Sequence, residues 1–183
     1  MAATRIQVAG AAKVTAPGDR EIRTERVFAA SRERVWQAFT EAELVARWWG
    51  RGNLLAIERM DVEHGGRWRY VEHAPDGVNG FEGRYLEVTP PERLVQTFAW
   101  DGLPGRVSVT FLVLQELGDS HTKVVTTLRF HTTEERDGML ASGMEQGLNE
   151  SYAALDRVLA GEASPRPEVA RPAPWPSGRT EQR

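Results

Sequence analysis

The middle of the chain contains six consecutive short segments in which apolar and polar residues alternate. An alternation with a period of two is typical of a β-strand with one buried face. The pattern predicts strands over residues 54–62, 67–73, 80–88, 93–100, 106–114 and 122–131. Glycine, proline and aspartate separate them, as at Gly65-Gly66 and at Pro75-Asp76-Gly77. Connections this short join neighbouring antiparallel strands, so the segments predict a meander rather than crossover units.

Two short helices are predicted between the first strand and the meander. Turn residues at Pro17-Gly18-Asp19 precede a strand over residues 21–29 and indicate a small lead-in hairpin. Ser31 is placed to cap the first helix, and Gly50 to end the second. The chain is therefore predicted to form a strand and then two short helices before the strands of the meander.

A long helix is predicted to close the domain. Thr132 and Glu135 form a capping box at its start, and the helical pattern runs without interruption to about Ala160. Gly143 and Gly147 lie one turn apart inside it, although a glycine there costs about 1 kcal/mol relative to alanine. The large apolar residues form one stripe, namely Leu140, Met144, Leu148, Leu155, Val158 and Leu159, and small residues flank it. The inward face of the helix therefore carries large apolar side chains along one half and small side chains along the other.

These elements predict an α+β fold in which a curved antiparallel sheet of about seven strands wraps around the final helix. One domain over residues 14–160 accounts for all of them. Residues 1–13 are expected to be a flexible segment. Residues 161–183 hold five of the ten prolines and are expected to be a disordered tail. Trp175 is the one large apolar residue in that tail.

The composition narrows the classes of function. A formal net charge of -3 gives no reason to expect nucleic acid as a partner. No stretch approaches the roughly 18 apolar residues that a membrane span requires, so membrane insertion is not expected. Cysteine is absent, which excludes disulfides and thiolate chemistry and suits a cytoplasmic protein. The expected partner is a small molecule. The chain itself is expected to be a monomer or a homodimer.

Small residues on the helix and aromatic residues on the strands favour a ligand pocket between them. Glycine on the helix is compatible with close packing and with a cavity wall, whereas an aromatic lining with phenol and indole groups favours the cavity. Trp48 ends the second short helix, where it lies either at the entrance or in the core. The predicted ligand-binding residues are Trp48, Trp68, Tyr70, Phe81, Tyr85, Phe98, Trp100, Val109, Phe111, Leu128, Leu140, Gly143, Met144 and Gly147.

Motifs for catalysis, cofactors or metals are scarce. Nucleotide-binding glycine motifs and nucleophile elbows are absent, and the four histidines are too scattered for metal ligation. No cofactor and no metal are therefore expected. If the pocket supports catalysis, the inward polar groups are the candidates, namely Tyr70, Glu72, Tyr85 and Gln96. None of these can be singled out as a general base from the sequence.

Four separated segments carry a resemblance to a known family. They read ERVFAASRERVWQAFTEAELVARWWG, GGRWRYV, FEGRYLEVTPPERLVQTF and RDGMLASGMEQGLNESYAALDRVLA. In this order they resemble the small bacterial members of the activator of heat-shock protein 90 ATPase homologue family, within the START-like, Bet v 1-like superfamily. The resemblance covers residues 14–160 and implies a helix-grip fold with a cavity for hydrophobic or amphipathic ligands. Arg51 stands where the family tends to have proline.

The resemblance supports binding of a hydrophobic or amphipathic small molecule as the expected function. Related START-like proteins include polyketide cyclases and aromatases, so an enzyme of cyclase or hydrolase type is the alternative. A protein-interaction module is a third class, with WWGR or the PAPWP segment of the tail as the contact. The resemblance does not include the separate N-terminal domain of the eukaryotic activators, so regulation of a chaperone ATPase is the least expected role.

Overall fold

A computed structural model describes residues 10–118 and 120–162. This part of the chain folds into one antiparallel, open, curved sheet and four helices. The elements are β1 Lys13–Thr15, β2 Glu21–Phe28, α1 Arg32–Thr40, α2 Ala42–Trp48, β3 Leu54–Met60, β4 Arg67–Ala74, β5 Gly77–Thr89, β6 Arg93–Trp100, β7 Val107–Leu117, β8 His121–Arg129, α3 Thr133–Ala141 and α4 Met144–Leu159. The predicted α+β helix-grip architecture is confirmed.

The order of strands in the sheet is β1-β2-β8-β7-β6-β5-β4-β3. Strands β3 to β8 pair with their neighbours in sequence, which confirms the predicted meander. Strand β8 returns beside β2, where Ile22 pairs with Leu128. The short β1 pairs with β2 and adds an eighth strand to the sheet, as the turn at residues 17–19 indicates.

The predicted uninterrupted final helix is wrong, because two helices occupy residues 133–159. Helix α3 ends at Ala141, and Gly143 adopts a left-handed φ of 78° immediately before α4. A residue with a Cβ atom is disfavoured at this φ, so glycine allows the chain to change direction there. At the start of α3, the Thr132 hydroxyl accepts a hydrogen bond from the Glu135 N–H, as predicted.

The core lies between the sheet and the C-terminal half of α4. Phe28 on β2 is fully buried and contacts the Tyr152 ring edge-on, with 5.2 Å between the ring centroids. Leu155 and Val158 on α4 are also fully buried, beside Val35 of α1. Burial of such side chains stabilises the fold by about 1.5 to 3 kcal/mol each. This end of the grip is closed.

The predicted flexible segment 1–13 and disordered tail 161–183 lie largely outside the described residues, as does Trp175. Those predictions stay predictions. Of the described part, Ala12 is buried, and its N–H donates to the Asn149 side-chain oxygen over 2.8 Å. Each helix within residues 10–118 and 120–162 is too short or too polar to cross a bilayer.

Candidate functional site

Strand register places most of the predicted ligand-binding residues that lie on strands on the inner face of the sheet. Tyr70 pairs with Phe81, and Phe81 pairs with Trp100, so these three side chains share one face. The Trp68 ring lies 4.8 Å from the Tyr70 ring and 6.0 Å from the Phe98 ring, centroid to centroid. The inner-facing members of the predicted set are Trp68, Tyr70, Phe81, Tyr85, Phe98, Trp100 and Leu128.

Burial is uneven along the inner face of the sheet. At the closed end Leu114 and Val124 are almost fully buried. At the opposite, open end several apolar side chains are only half-buried, although Ile22 beside Leu128 is fully buried. We call this half-buried group the mouth, and it comprises Trp49, Phe81, Phe98, Leu128 and Leu148.

The rings of the mouth are in contact with one another. Phe81 lies 4.9 Å from Trp49 and 5.7 Å from Phe98, measured between ring centroids. Trp49 also contacts the buried Tyr70 at 5.6 Å. Trp100 extends this aromatic surface to the rim, where it is 37% exposed and its indole N–H donates to Asn79. The mouth is thus a partly accessible apolar surface that is continuous with the core.

The prediction that Val109 and Phe111 face inward is wrong. On β7 the inner positions are those of Leu112 and Leu114, so Val109 and Phe111 lie on the outer face. There the Arg129 guanidinium lies 5.0 Å from the centre of the Phe111 ring. Apolar residues occupy both faces of this strand, so its pattern does not reveal which face is inside.

Among the predicted residues that are not on strands, Trp48, Leu140 and Gly143 do not contribute to the mouth. Trp48 belongs to the core, because it is 5% exposed and its indole N–H donates to the Ala38 carbonyl over 2.7 Å. Its neighbour Trp49 lies in the mouth instead. Leu140 is exposed on α3, and Gly143 is exposed in the turn between α3 and α4. Met144 follows as the first residue of α4 and is half-buried.

A buried carboxylate with an arginine partner lies beside the mouth. Glu72, on the inner face of β4, is 2% exposed. Arg51 binds it at two points, with 3.2 Å between Nε and Oε1 and 3.0 Å between Nη2 and Oε2. Asn53 donates to Oε1 over 2.8 Å. The hydrogen bond to Glu72 raises the pKa of the Arg51 guanidinium above its ordinary value.

Glycine residues position Arg51. Gly50, Arg51 and Gly52 have successive φ values of 90°, 58° and 82°, a left-handed run that two glycines make accessible. The Arg51 N–H donates to the Ser151 hydroxyl over 3.1 Å. The Arg51 side chain crosses α4 at Gly147, where an added Cβ would lie 2.9 Å from Arg51 Cδ. Gly147 therefore makes room for Arg51, a role that helical periodicity does not reveal.

The four predicted catalytic residues lie close together, but their arrangement does not identify a general base. Tyr70 and Tyr85 share a hydrogen bond, and burial raises the pKa of both phenols, that of Tyr85 to about 12. Both phenols are therefore protonated at neutral pH, and one donates to the other in the bond they share. Gln96 pairs with Tyr85 across the sheet, and Glu72 is bound by Arg51. Cyclase or hydrolase chemistry stays a hypothesis.

Two hollows are outlined on the described part of the chain. One, of about 260 Å³, lies beside Lys13 and Lys123, and the other, of about 380 Å³, lies over Phe111 on the outer face. Both are outside the grip, so an enclosed cavity between the sheet and α4 remains a prediction. Within residues 10–118 and 120–162, no group of three acidic or histidine side chains is arranged to hold a metal ion.

A curved antiparallel sheet gripping a C-terminal helix, with an aromatic mouth at one end, defines the class as a helix-grip α+β domain. A model of the family described as activator of Hsp90 ATPase homolog 1-like protein matches residues 29–160. The chain belongs to this family. No curated protein matches the chain by sequence.

Solved structures of bacterial proteins share the fold. A protein from Rhodobacter sphaeroides is 28% identical, with 82% of this chain and 98% of that chain covered and a TM-score of 0.75. A protein from Chromobacterium violaceum is 26% identical, with 76% and 96% covered and a TM-score of 0.65. A protein from Arthrobacter aurescens, at 22% identity, has 86% and 96% covered and a TM-score of 0.75. The last of these shows the fold alone.

Proposed function

We propose that this domain binds an amphipathic small molecule whose apolar part lies against the mouth. One observation carries the proposal: large apolar side chains at one end of the inner face are half-buried while directly continuous with the core. Phe81 and Phe98 illustrate this, because each contacts a second aromatic ring and remains partly accessible. A concave apolar surface with a few polar groups at its edge is typical of small-molecule sites.

The polar groups beside the mouth support an amphipathic ligand rather than a purely apolar one. Arg51, Asn53 and Glu72 form a charged cluster next to Trp49. A ligand that extends from Phe98 toward this cluster would place an apolar body against rings and a polar group against charges. Burial of its body would contribute about 0.8 kcal/mol per methylene before the costs of association.

A fluorescence titration with N-phenyl-1-naphthylamine, an uncharged apolar probe, tests this proposal. The comparison is between the wild-type chain, Phe98→Ala and Phe111→Ala. The two phenylalanines lie on neighbouring strands, both half-buried, but on opposite faces of the sheet. We expect Phe98→Ala to weaken probe binding about ten-fold, because a ring in the contact surface is lost.

Phe111→Ala serves as the matched control and should leave the affinity within about two-fold of wild type. Circular dichroism establishes that both variants are folded. Equal weakening by the two substitutions, or no effect of Phe98→Ala in a folded protein, would contradict binding at the mouth.

A further inference from the structure

We infer that the mouth selects ligands with a cationic head group, such as a primary amine, and that Glu72 is the group that receives it. In the absence of ligand, the Arg51 guanidinium is the cation that pairs with Glu72, and the head group of the ligand would replace it. The inference rests on the proposed function and specifies the chemical class of the ligand.

The first step concerns Glu72. It lies on the ligand-facing side of β4, two residues from Tyr70, and only 2% of it is exposed. A buried carboxylate is costly unless a cation or several hydrogen bonds compensate it. A head group that takes the place of Arg51 must therefore supply positive charge to this carboxylate.

The second step concerns the exchangeability of Arg51. Its side chain is 43% exposed, in contrast to its buried partner. The loop backbone is held in place, because the Arg51 N–H donates to Ser151 and the Asn53 N–H donates to the Gly50 carbonyl, so exchange requires movement of the Arg51 side chain only. The Asn53 amide would continue to donate to Glu72 when the guanidinium moves away. The carboxylate therefore has one partner, Asn53, that stays in place and one half-exposed partner, Arg51, whose side chain moves away.

The third step concerns the charges around the cluster. Negative charge on Asp76 and Glu150 adds to that of Glu72 in raising the pKa of the Arg51 guanidinium. Neither Asp76 nor Glu150 forms an ion pair within residues 10–118 and 120–162. The local field therefore favours an added cation and opposes an added anion.

The fourth step concerns the aromatic rings next to Glu72. Trp49 directly precedes the Gly50-Arg51-Gly52 loop and lies edge-on to Phe81 and Tyr70. Trp100 is exposed at the rim. The negative faces of such rings attract ammonium groups, so the aromatic surface at this end of the sheet suits a cation.

The experiment compares three probes with one alkyl chain and different head groups: dodecylamine, 1-dodecanol and dodecanoate. Each displaces N-phenyl-1-naphthylamine from the wild-type chain below its micelle concentration. The expected order of affinity is amine, then alcohol, then carboxylate, with about ten-fold or more between amine and carboxylate. The same titrations are made with Arg51→Gly, in which glycine suits the φ of 58°.

We expect Arg51→Gly to bind dodecylamine several-fold more tightly than wild type, because the competing guanidinium is absent. Its affinity for 1-dodecanol should change little. Glu72→Gln should abolish the preference for the amine. Arg93→Gln removes a half-exposed arginine paired with Glu87 at the other end of the sheet and is the control. It should leave all three affinities unchanged.

The outcomes separate this inference from the proposed function. Equal affinities for the three probes, or tighter binding of dodecanoate than of dodecylamine, would overturn the cation preference while supporting an apolar site. Failure of all three to displace the fluorescent probe would overturn both. If Glu72→Gln does not fold, the wild-type order and the response of Arg51→Gly still decide the question.

Discussion

Arg51 and Glu72 form a two-point ion pair that joins the loop after α2 to the inner face of β4. The same loop is bound to α4 through the hydrogen bond from the Arg51 N–H to Ser151. Three elements that are distant in sequence therefore meet at one residue, Arg51, beside the mouth. The Arg51–Glu72 pair therefore contributes both to the stability of the open end of the domain and to the proposed binding of a ligand at the mouth.

Arg51→Ala should lower the free energy of unfolding by about 1 to 3 kcal/mol, because Glu72 loses a charge-assisted pair of hydrogen bonds. In the Glu72→Gln background the same substitution should cost less, with a coupling energy of about 1 kcal/mol. Urea denaturation of the four proteins of this cycle measures both quantities. Additive effects of the two substitutions would show that the pair does not interact in solution.

Gly143→Ala should destabilise the protein by about 1 to 2 kcal/mol, because φ at this position is 78°. Gly147→Ala is the matched comparison, one turn further along in regular helix. At Gly147 the gain of about 1 kcal/mol in helix propensity offsets the energetic cost of displacing the Arg51 side chain, so we expect little net change in stability. Thermal unfolding of both variants provides the measurement, and equal destabilisation at the two positions would argue against a break at Gly143.

The three tyrosines predict a loss of stability at alkaline pH. Burial raises the pKa of Tyr70, Tyr85 and Tyr152, that of Tyr85 to about 12. An unfolded chain releases these protons near pH 10, whereas the folded chain retains them. Their contribution to stability is therefore complete below about pH 10 and is lost as the pH rises toward 12.

Absorbance at 295 nm and far-ultraviolet circular dichroism, followed together against pH, check this prediction. Tyrosine ionisation should coincide with unfolding, because all three phenols are buried. Ionisation of one or more tyrosines with a midpoint near 10 in a protein with native circular dichroism would contradict the described burial.

The adjacent tryptophans Trp48 and Trp49 should respond differently to substitution. Trp48→Phe removes a buried hydrogen bond to Ala38 and should cost about 1 to 3 kcal/mol of stability. Trp49→Ala should instead weaken ligand displacement in the titrations above and affect stability less. Stability and affinity measurements on both variants are needed, and the reverse assignment of effects would place Trp48 at the entrance.

The architecture was predictable because each element has its own local pattern. Period-two segments with short turns define the meander, and capping residues such as Ser31 and Thr132 mark helix starts. The break at Gly143 was not predictable, since a glycine inside a helical pattern has the same periodicity whether or not the helix bends there. The left-handed backbone at this position depends on the packing of α3 and α4.

The site was predictable only in part. Trp68, Tyr70, Phe81, Tyr85 and Phe98 follow from strand alternation, and the structure brings them together on the inner face. Strand β7 has apolar residues on both faces, so alternation alone misplaced Phe111. The contact between Arg51 and Glu72 spans separate elements, and no local pattern encodes it. The one available signal was the position of Arg51 between two glycines.

Methyl-selective NMR with dodecylamine tests the central claim most directly, because it locates the ligand as well as detecting it. We expect titration to shift the methyl signals of Leu128, Met144 and Leu148 at the open end. Those of Val158 at the closed end and Val113 on the outer face should stay in place. Shifts confined to Val113, or no shifts at the open end, would contradict a ligand site at the mouth.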